Sequence, residues 1–320
     1  MALLASSFNQ DHSHLAIGTS FGWKIFSCDP FSCRTASSLT GVSSIQMLFS
    51  SALVALVGDD HAFHFPMLPR LWNSYTETAV GPELCFPTTV LNVQMNRQRL
   101  IVVLESALHI FDRKPAREYT CIHHLRSPPT SPNCLAVRLC ESPPSPSTSL
   151  SPFASKHTKH TEGTQTQVAS VTPSLDHRLL SLLAVMSMQH LHTLPTSINP
   201  LGLASLCPDP ETCYCATLTA DGKEGQVVMY DARKLHALNT VVGHRSTLQC
   251  LSLSSRGDML ATASEKGTVV RVHSFPQGVL MYTFRRGSFR SVIHSVSFSP
   301  SELSRDGSSG LNGIACGVML

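Results

Sequence analysis

The sequence predicts an all-β chain of repeated four-stranded units, a β-propeller, on three observations. Strand formers dominate over long amphipathic patterns, strand-like endings recur at a near-constant step, and short turns separate runs of period-two alternation. The endings are Trp23-Lys24-Ile25-Phe26, Arg70-Leu71-Trp72-Asn73, Leu108-His109-Ile110-Phe111-Asp112, Val227-Val228-Met229-Tyr230-Asp231 and Val269-Val270-Arg271-Val272-His273. Measured at Phe26, Trp72, Phe111, Tyr230 and Val272, the steps are 46, 39, 119 and 42 residues. Three of the four match the roughly 40–45 residues of a propeller blade, and the long one equals a blade plus an insertion of about 75.

Within a repeat the strands are legible one by one. Leu251-Ser252-Leu253-Ser254 alternates, Ser255-Arg256-Gly257-Asp258 turns, and Met259-Leu260-Ala261-Thr262-Ala263-Ser264 alternates again. A second turn at Glu265-Lys266-Gly267 leads into Thr268-Val269-Val270-Arg271-Val272. This is the antiparallel meander a blade requires. The long step has its cause in residues 126–174, rich in Ser, Pro and Thr and punctuated by Ser-Pro pairs such as Ser127-Pro128 and Ser151-Pro152. Such composition cannot bury enough apolar surface to offset its ordering entropy, so it reads as a disordered insertion in the single propeller domain 1–320, between blades three and four. Blades one to three are expected in 6–122 and blades four to six from 190 to 300. The apolar run Leu179–Met186 reads as either a short helix or a strand that rejoins the propeller.

Composition narrows the function classes. Of 320 residues, 42% are hydrophobic and only 14% charged, with a net charge of +3, which describes a globular chain with a polar, largely uncharged surface. No stretch approaches the roughly 20 apolar residues of a membrane span. The start, Met1-Ala2-Leu3-Leu4-Ala5, lacks the basic region of a signal peptide. Eleven cysteines, an odd number without a CxxC pair, read as buried reduced thiols, and Cys213-Tyr214-Cys215 has the wrong spacing for zinc. A cytoplasmic protein with at most peripheral membrane contact is expected. No metal or cofactor is implied, and His157, His160, His190 and His192 read as incidental.

Enzyme signatures are missing: no nucleophile elbow, P-loop, H-E-x-x-H or dinucleotide fingerprint occurs, so an enzyme is not expected. Interleaved aromatic and basic residues for nucleic acid are missing too. The chemistry is concentrated instead in Phe284-Arg285-Arg286-Gly287. From Lys266 to Pro300 there is no acidic residue, while Lys266, Arg271, Arg285, Arg286 and Arg290 supply five positive charges. Adjacent arginines on an extended segment point to opposite faces, and each guanidinium is a fork suited to phosphate. Thr262 and Ser264 share one side of a strand, Gly267 permits a tight turn with backbone N–H groups, and Thr268 and Arg271 follow on the next strand. His244 opens the same blade, either as a ring donor or as a charge beside a phosphate. Hydroxyls, an imidazole and guanidinium forks together suit a phosphorylated sugar-like ring.

These strings resemble the PROPPIN family, the seven-bladed WD40-like propellers that bind polyphosphoinositides (the WIPI proteins in animals). Phe284-Arg285-Arg286-Gly287 is similar to the family's signature motif, and Ala263–Val272 to the strand pair before it. Phe8-Asn9-Gln10-Asp11, Ala16-Ile17-Gly18-Thr19 and Asn96-Arg97-Gln98-Arg99-Leu100 add to the likeness, which covers about 6–122 and 190–300. The resemblance implies two shallow pockets flanking the arginine pair, for phosphatidylinositol 3-phosphate or 3,5-bisphosphate. The first would use His244, Thr262, Ser264, Gly267, Thr268, Arg271 and Arg285; the second would use Arg286, beside Gly287, with groups from the following blade. It implies a non-enzymatic effector that brings autophagy lipid-transfer or conjugation proteins to phagophore, preautophagosomal, endosomal or vacuolar membranes. Arg97 and Arg99 fall on the family's partner surface, or are ordinary surface arginines. After Ser297-Phe298-Ser299-Pro300 the sequence departs from the pattern, so the propeller is expected to be C-terminally incomplete. The alternative reading is a WD40-like interaction scaffold with degraded lipid binding.

Overall fold

In the computed structural model, residues 2–38, 41–58, 69–81, 84–113 and 188–298 can be described. The chain divides into two compact units, Met1–Arg117 with Ala184–Leu320, and Glu118–Leu183. The second unit, which holds the Ser/Pro-rich insertion 126–174, lies outside the described residues, and so does the Leu179–Met186 run.

The first unit is a β-propeller of four-stranded antiparallel sheets, five of them among the described residues. Sheet one holds β1 (Leu3–Phe8), β2 (His14–Thr19), β3 (Gly22–Cys28) and β4 (Phe31–Ser37). Sheet two holds β5 (Val42–Met47), β6 (Leu53–Gly58), β7 (Pro69–Asn73) and β8 (Thr78–Ala79). Sheet three holds β9 (Asn92–Met95), β10 (Arg99–Val103), β11 (Ala107–Asp112) and β12 (Gln189–Pro195). Sheet four holds β13 (Ala204–Leu206), β14 (Tyr214–Leu218), β15 (Gln226–Asp231) and β16 (His236–Val242). Sheet five holds β17 (Leu248–Leu253), β18 (Met259–Ser264), β19 (Val269–Ser274) and β20 (Leu280–Arg285). The innermost strands β1, β5, β9, β13 and β17 touch in sequence around the propeller.

The five recurring endings all fall on third strands: Phe26 in β3, Trp72 in β7, Phe111 in β11, Tyr230 in β15 and Val272 in β19. One position differs from the sequence reading. The segment 114–187 leaves and returns inside sheet three, because β12 pairs antiparallel with β11 from Ala107↔Pro195 to Asp112↔Gln189. The insertion therefore separates the third and fourth strands of one blade, not blades three and four. Sheet four then begins at Ala204, not near residue 190.

Packing explains the strand patterns. Each core lies between consecutive sheets, so a middle strand feeds two cores by alternation. In β10, Leu100 and Val102 face sheet two while Ile101 and Val103 face sheet four, and all four are buried. The last core is formed by Cys250, Ala261, Ala263, Val270 and Val272 of sheet five with Ile293, Val296 and Phe298. The segment 291–298 thus occupies the place of a next innermost strand, and the Cys250 thiol donates to the Ile293 carbonyl at 2.9 Å.

Candidate functional site

The fifth sheet places the arginine motif at the end of its outermost strand. Val269 pairs with Arg285, Arg271 with Thr283, and Thr262 with Arg271. Direct cross-strand partners share a face, and so do residues two apart. Thr262, Ser264, Arg271 and Arg285 therefore lie on one face of the sheet.

The connection between β16 and β17 closes over that face. Arg271 donates from Nη1 to the Gly243 carbonyl at 2.7 Å, and His244 donates from Nε2 to the Thr262 carbonyl at 3.0 Å. A carbonyl only accepts, so Nε2 must carry the hydrogen. Thr262 and His244 are buried. Burial pushes the His244 ring below the ordinary imidazole range, and Arg271 adds to this against the Thr262 hydrogen bond. His273, two residues beyond Arg271, is lowered by burial, Arg271 and His244. The face is held neutral apart from its arginines, and among the described residues neither Arg271 nor Arg285 has a carboxylate partner.

Arg285 is exposed and makes one contact, Nη2 to Ser288 Oγ at 3.4 Å. Arg286 turns away. Its backbone N–H donates to the Thr268 carbonyl, Nε donates to the Gly267 carbonyl and Nη2 to the Phe289 carbonyl, both at 2.6 Å. The two guanidinium groups therefore diverge, as strand alternation requires.

Several residue types expected at the site are present but buried or already occupied. Thr262 Oγ1 lies fully buried, 3.5 Å from the Arg271 carbonyl, and Ser264 is 5% exposed. The Gly267 N–H is spent on the Ser264 carbonyl at 2.8 Å, so it closes the turn and does not cradle an anion. Glycine is required there for two reasons: φ is +60°, and a Cβ would collide with the Ser291 carbonyl oxygen. Thr268 lends its carbonyl to Arg286 and, at 3.5 Å, to the Gly287 N–H. His244 is a positioning group here, not an exposed donor. Sequence reasoning missed Ser288, Phe289 and the Gly243 carbonyl, because loop residues carry no periodicity.

The third sheet's pair behaves differently. Arg99 is buried, pairs with Asp112 at 2.8 Å, and donates from Nε to the Ala232 carbonyl at 2.9 Å and from Nη2 to the Arg233 carbonyl at 3.5 Å. It ties sheet three to sheet four and is not available to a partner, which corrects its placement on a partner surface. Arg97 is exposed, lies over the Phe49 ring at 4.8 Å and lines a cavity of about 570 Å³ with Gln10, Gln94, Asp209 and Arg256. Cys213 and Cys215 are fully buried free thiols, and burial pushes both above the ordinary thiol range.

The PROPPIN family model matches residues 2–151 and 177–309. The chain belongs to the PROPPIN family. Among PROPPIN relatives, autophagy-related protein 18 of Aspergillus terreus is 34% identical over 299 residues, covering 93% of this chain and 58% of the relative. Autophagy-related protein 18 of Emericella nidulans is 35% identical over 314 residues, covering 92% and 55%. The chain spans little more than half the length of these relatives. Solved structures share the fold: KlAtg21 in complex with the coiled coil of AgAtg16 aligns with a TM-score of 0.59 at 22% identity, covering 93% of this chain and 75% of that one. Kluyveromyces lactis Hsv2 aligns at 0.58 with 16% identity, covering 93% and 68%. This PROPPIN thus carries the Phe284-Arg285-Arg286-Gly287 string at the outer strand of its fifth sheet.

Proposed function

We propose that the chain is a non-enzymatic phosphoinositide effector that binds phosphatidylinositol 3-phosphate or 3,5-bisphosphate. The observation that carries this is the acid-free face of sheet five, where Arg285 and Arg271 sit together without a carboxylate. The half-buried Arg271 guanidinium lacks a carboxylate and so favours an anionic ligand, and the exposed Arg285 fork beside it can donate to a phosphate in two places. Arg285 with Arg271 forms one half-site; Arg286, fixed over the Gly267 turn, faces the segment that follows and forms the other. Two weak half-sites on one membrane gain through avidity, so losing either costs more than half the binding.

The cellular role proposed is recruitment of autophagy lipid-transfer or conjugation proteins to 3-phosphoinositide membranes, peripherally and from the cytoplasm. The solved complex of KlAtg21 with the AgAtg16 coiled coil supports a helical partner of that kind. Arg97, exposed beside Phe49, is the basic residue offered to it. The test is flotation with vesicles bearing phosphatidylinositol 3-phosphate, comparing wild type with Arg285→Thr/Arg286→Thr. Binding lost in the double variant is expected. Equal binding by both would sink the reading and leave an interaction scaffold in its place.

A further inference from the structure

We propose that Phe289 is an interfacial anchor that inserts its ring into the bilayer beside the phosphoinositide half-sites, an inference that rests on the lipid reading above. Phe289 is 87% exposed, the most exposed of the large hydrophobic side chains among the described residues. Among the described residues it joins none of the five cores and stacks on no other ring. An isolated exposed phenylalanine on its own means little. Its setting is what matters.

The loop that carries it is fixed, not free. Arg286 Nη2 donates to the Phe289 carbonyl at 2.6 Å while its Nε holds the Gly267 carbonyl. Arg285 reaches Ser288, Arg290 pairs with Glu265 at 3.6 Å, and the Ser291 N–H donates to the Lys266 carbonyl at 3.3 Å. Ile293, fully buried, pins the far end. The motif arginines thus have two jobs: they supply the positive charge, and their other contacts hold an apolar ring out into solvent.

The charge fits an anionic lipid surface. Three arginines lie within four positions of the ring, and no acid occurs from Lys266 to Pro300. Three residues of chain span at most about 10 Å, which keeps the Phe289 Cα within that reach of the Arg286 Cα. Apolar groups of peripheral proteins enter the headgroup and acyl boundary by roughly 5–10 Å, so a ring beside the half-sites can lie at that depth while they hold a headgroup. An aromatic ring is suited to this depth.

Full-length Phe289→Ser and Phe289→Trp chains test the assignment. Trp23 and Trp72 are 3% and 8% exposed, so their emission is a steady background for a tryptophan at 289. Phosphatidylcholine vesicles bearing phosphatidylinositol 3-phosphate should shift the emission of F289W to shorter wavelength. F289S should bind those vesicles about tenfold more weakly, yet bind soluble inositol 1,3-bisphosphate as wild type does. Vesicle binding by F289S within twofold of wild type, with no shift in F289W, overturns the anchor while leaving the headgroup reading intact. A shift on vesicles lacking the phosphoinositide, with no headgroup binding, keeps the anchor and removes that reading. A shift that grows with protein concentration without vesicles assigns the ring to contact between copies and overturns the anchor. No vesicle binding by wild type overturns both.

Discussion

Arg97 and Arg99 in the third sheet and Arg285 and Arg286 in the fifth are two arginine pairs at strand ends, and the fold spends them in different ways. Arg99 is consumed: a carboxylate and two backbone carbonyls of the next sheet take its guanidinium. Arg285 is left exposed with a single serine contact. The difference lies in the neighbours. Arg99 stands directly opposite Asp112 across the β10–β11 hairpin, whereas no acid occurs anywhere from Lys266 to Pro300. Arg99, with an acid at its register position, becomes part of the scaffold, while Arg285, among the described residues, has no acid opposite it and no backbone carbonyl on its guanidinium.

The comparison breaks most sharply at Arg99. Arg99→Ala should cost about 3–4 kcal/mol in chemical denaturation, because it removes a buried ion pair and strands the Ala232 carbonyl. Adding Asp112→Ala should recover part of that loss. A cost under about 1 kcal/mol, the range of a surface pair, would show that Arg99 is not structural.

Gly267→Ala should come next, at about 2–3 kcal/mol, since the left-handed φ and the contact with the Ser291 carbonyl both oppose a side chain. The same variant displaces the loop to which Arg286 is tied, so vesicle binding should weaken with it. Unchanged binding with lowered stability would mean that the Gly267–Arg286 contact does not position the second half-site.

A smaller effect is expected from pH. His109, His244 and His273 all have folded values held below the ordinary 6.5, each chiefly by burial; His190 adds to this at His109 and Arg271 at the other two. The unfolded chain therefore takes up protons first as pH falls through about 6.5. Stability from these groups is present above that value and declines below it, until the folded values are reached. The melting temperature should fall between pH 7.5 and 5.5, and His244→Gln should flatten the slope. A melting temperature that rises on acidification contradicts the neutral assignment of these rings.

Much of the scaffold was legible, because the third strands carry buried apolar residues at alternate positions, as Trp23 and Ile25 in β3 and Val270 and Val272 in β19 do. The outermost strands were not. β12, Gln189–Pro195, alternates only weakly because it packs at the propeller rim, and so the blade boundary was drawn on the wrong side of the insertion. At the site, residue types were legible but their occupancy was not. Thr262, Ser264 and the Gly267 N–H have suitable chemistry for phosphate, yet burial and backbone partners claim them. The Arg99–Asp112 pairing could have been read from the hairpin register, since Leu100 and Phe111 are direct partners. The Arg285 contact could not, because Ser288 belongs to a loop.

The smallest effect on stability is expected where the largest effect on binding lies. Arg285 is exposed, its one contact is long, and nothing in the core depends on it. Arg285→Ala should therefore change unfolding free energy by no more than about 0.5 kcal/mol, as surface substitutions do. On phosphoinositide vesicles the same change removes the free fork of the first half-site, and through avidity should cost well over half the binding. Arg99→Ala, assayed at a temperature where it is still folded, should bind those vesicles normally. Crossing the two measurements, stability and vesicle affinity, places each arginine on one axis. If Arg285→Ala unfolds the chain, or Arg99→Ala loses the lipid while folded, an acid at the register position is not what separates a structural arginine from a binding one.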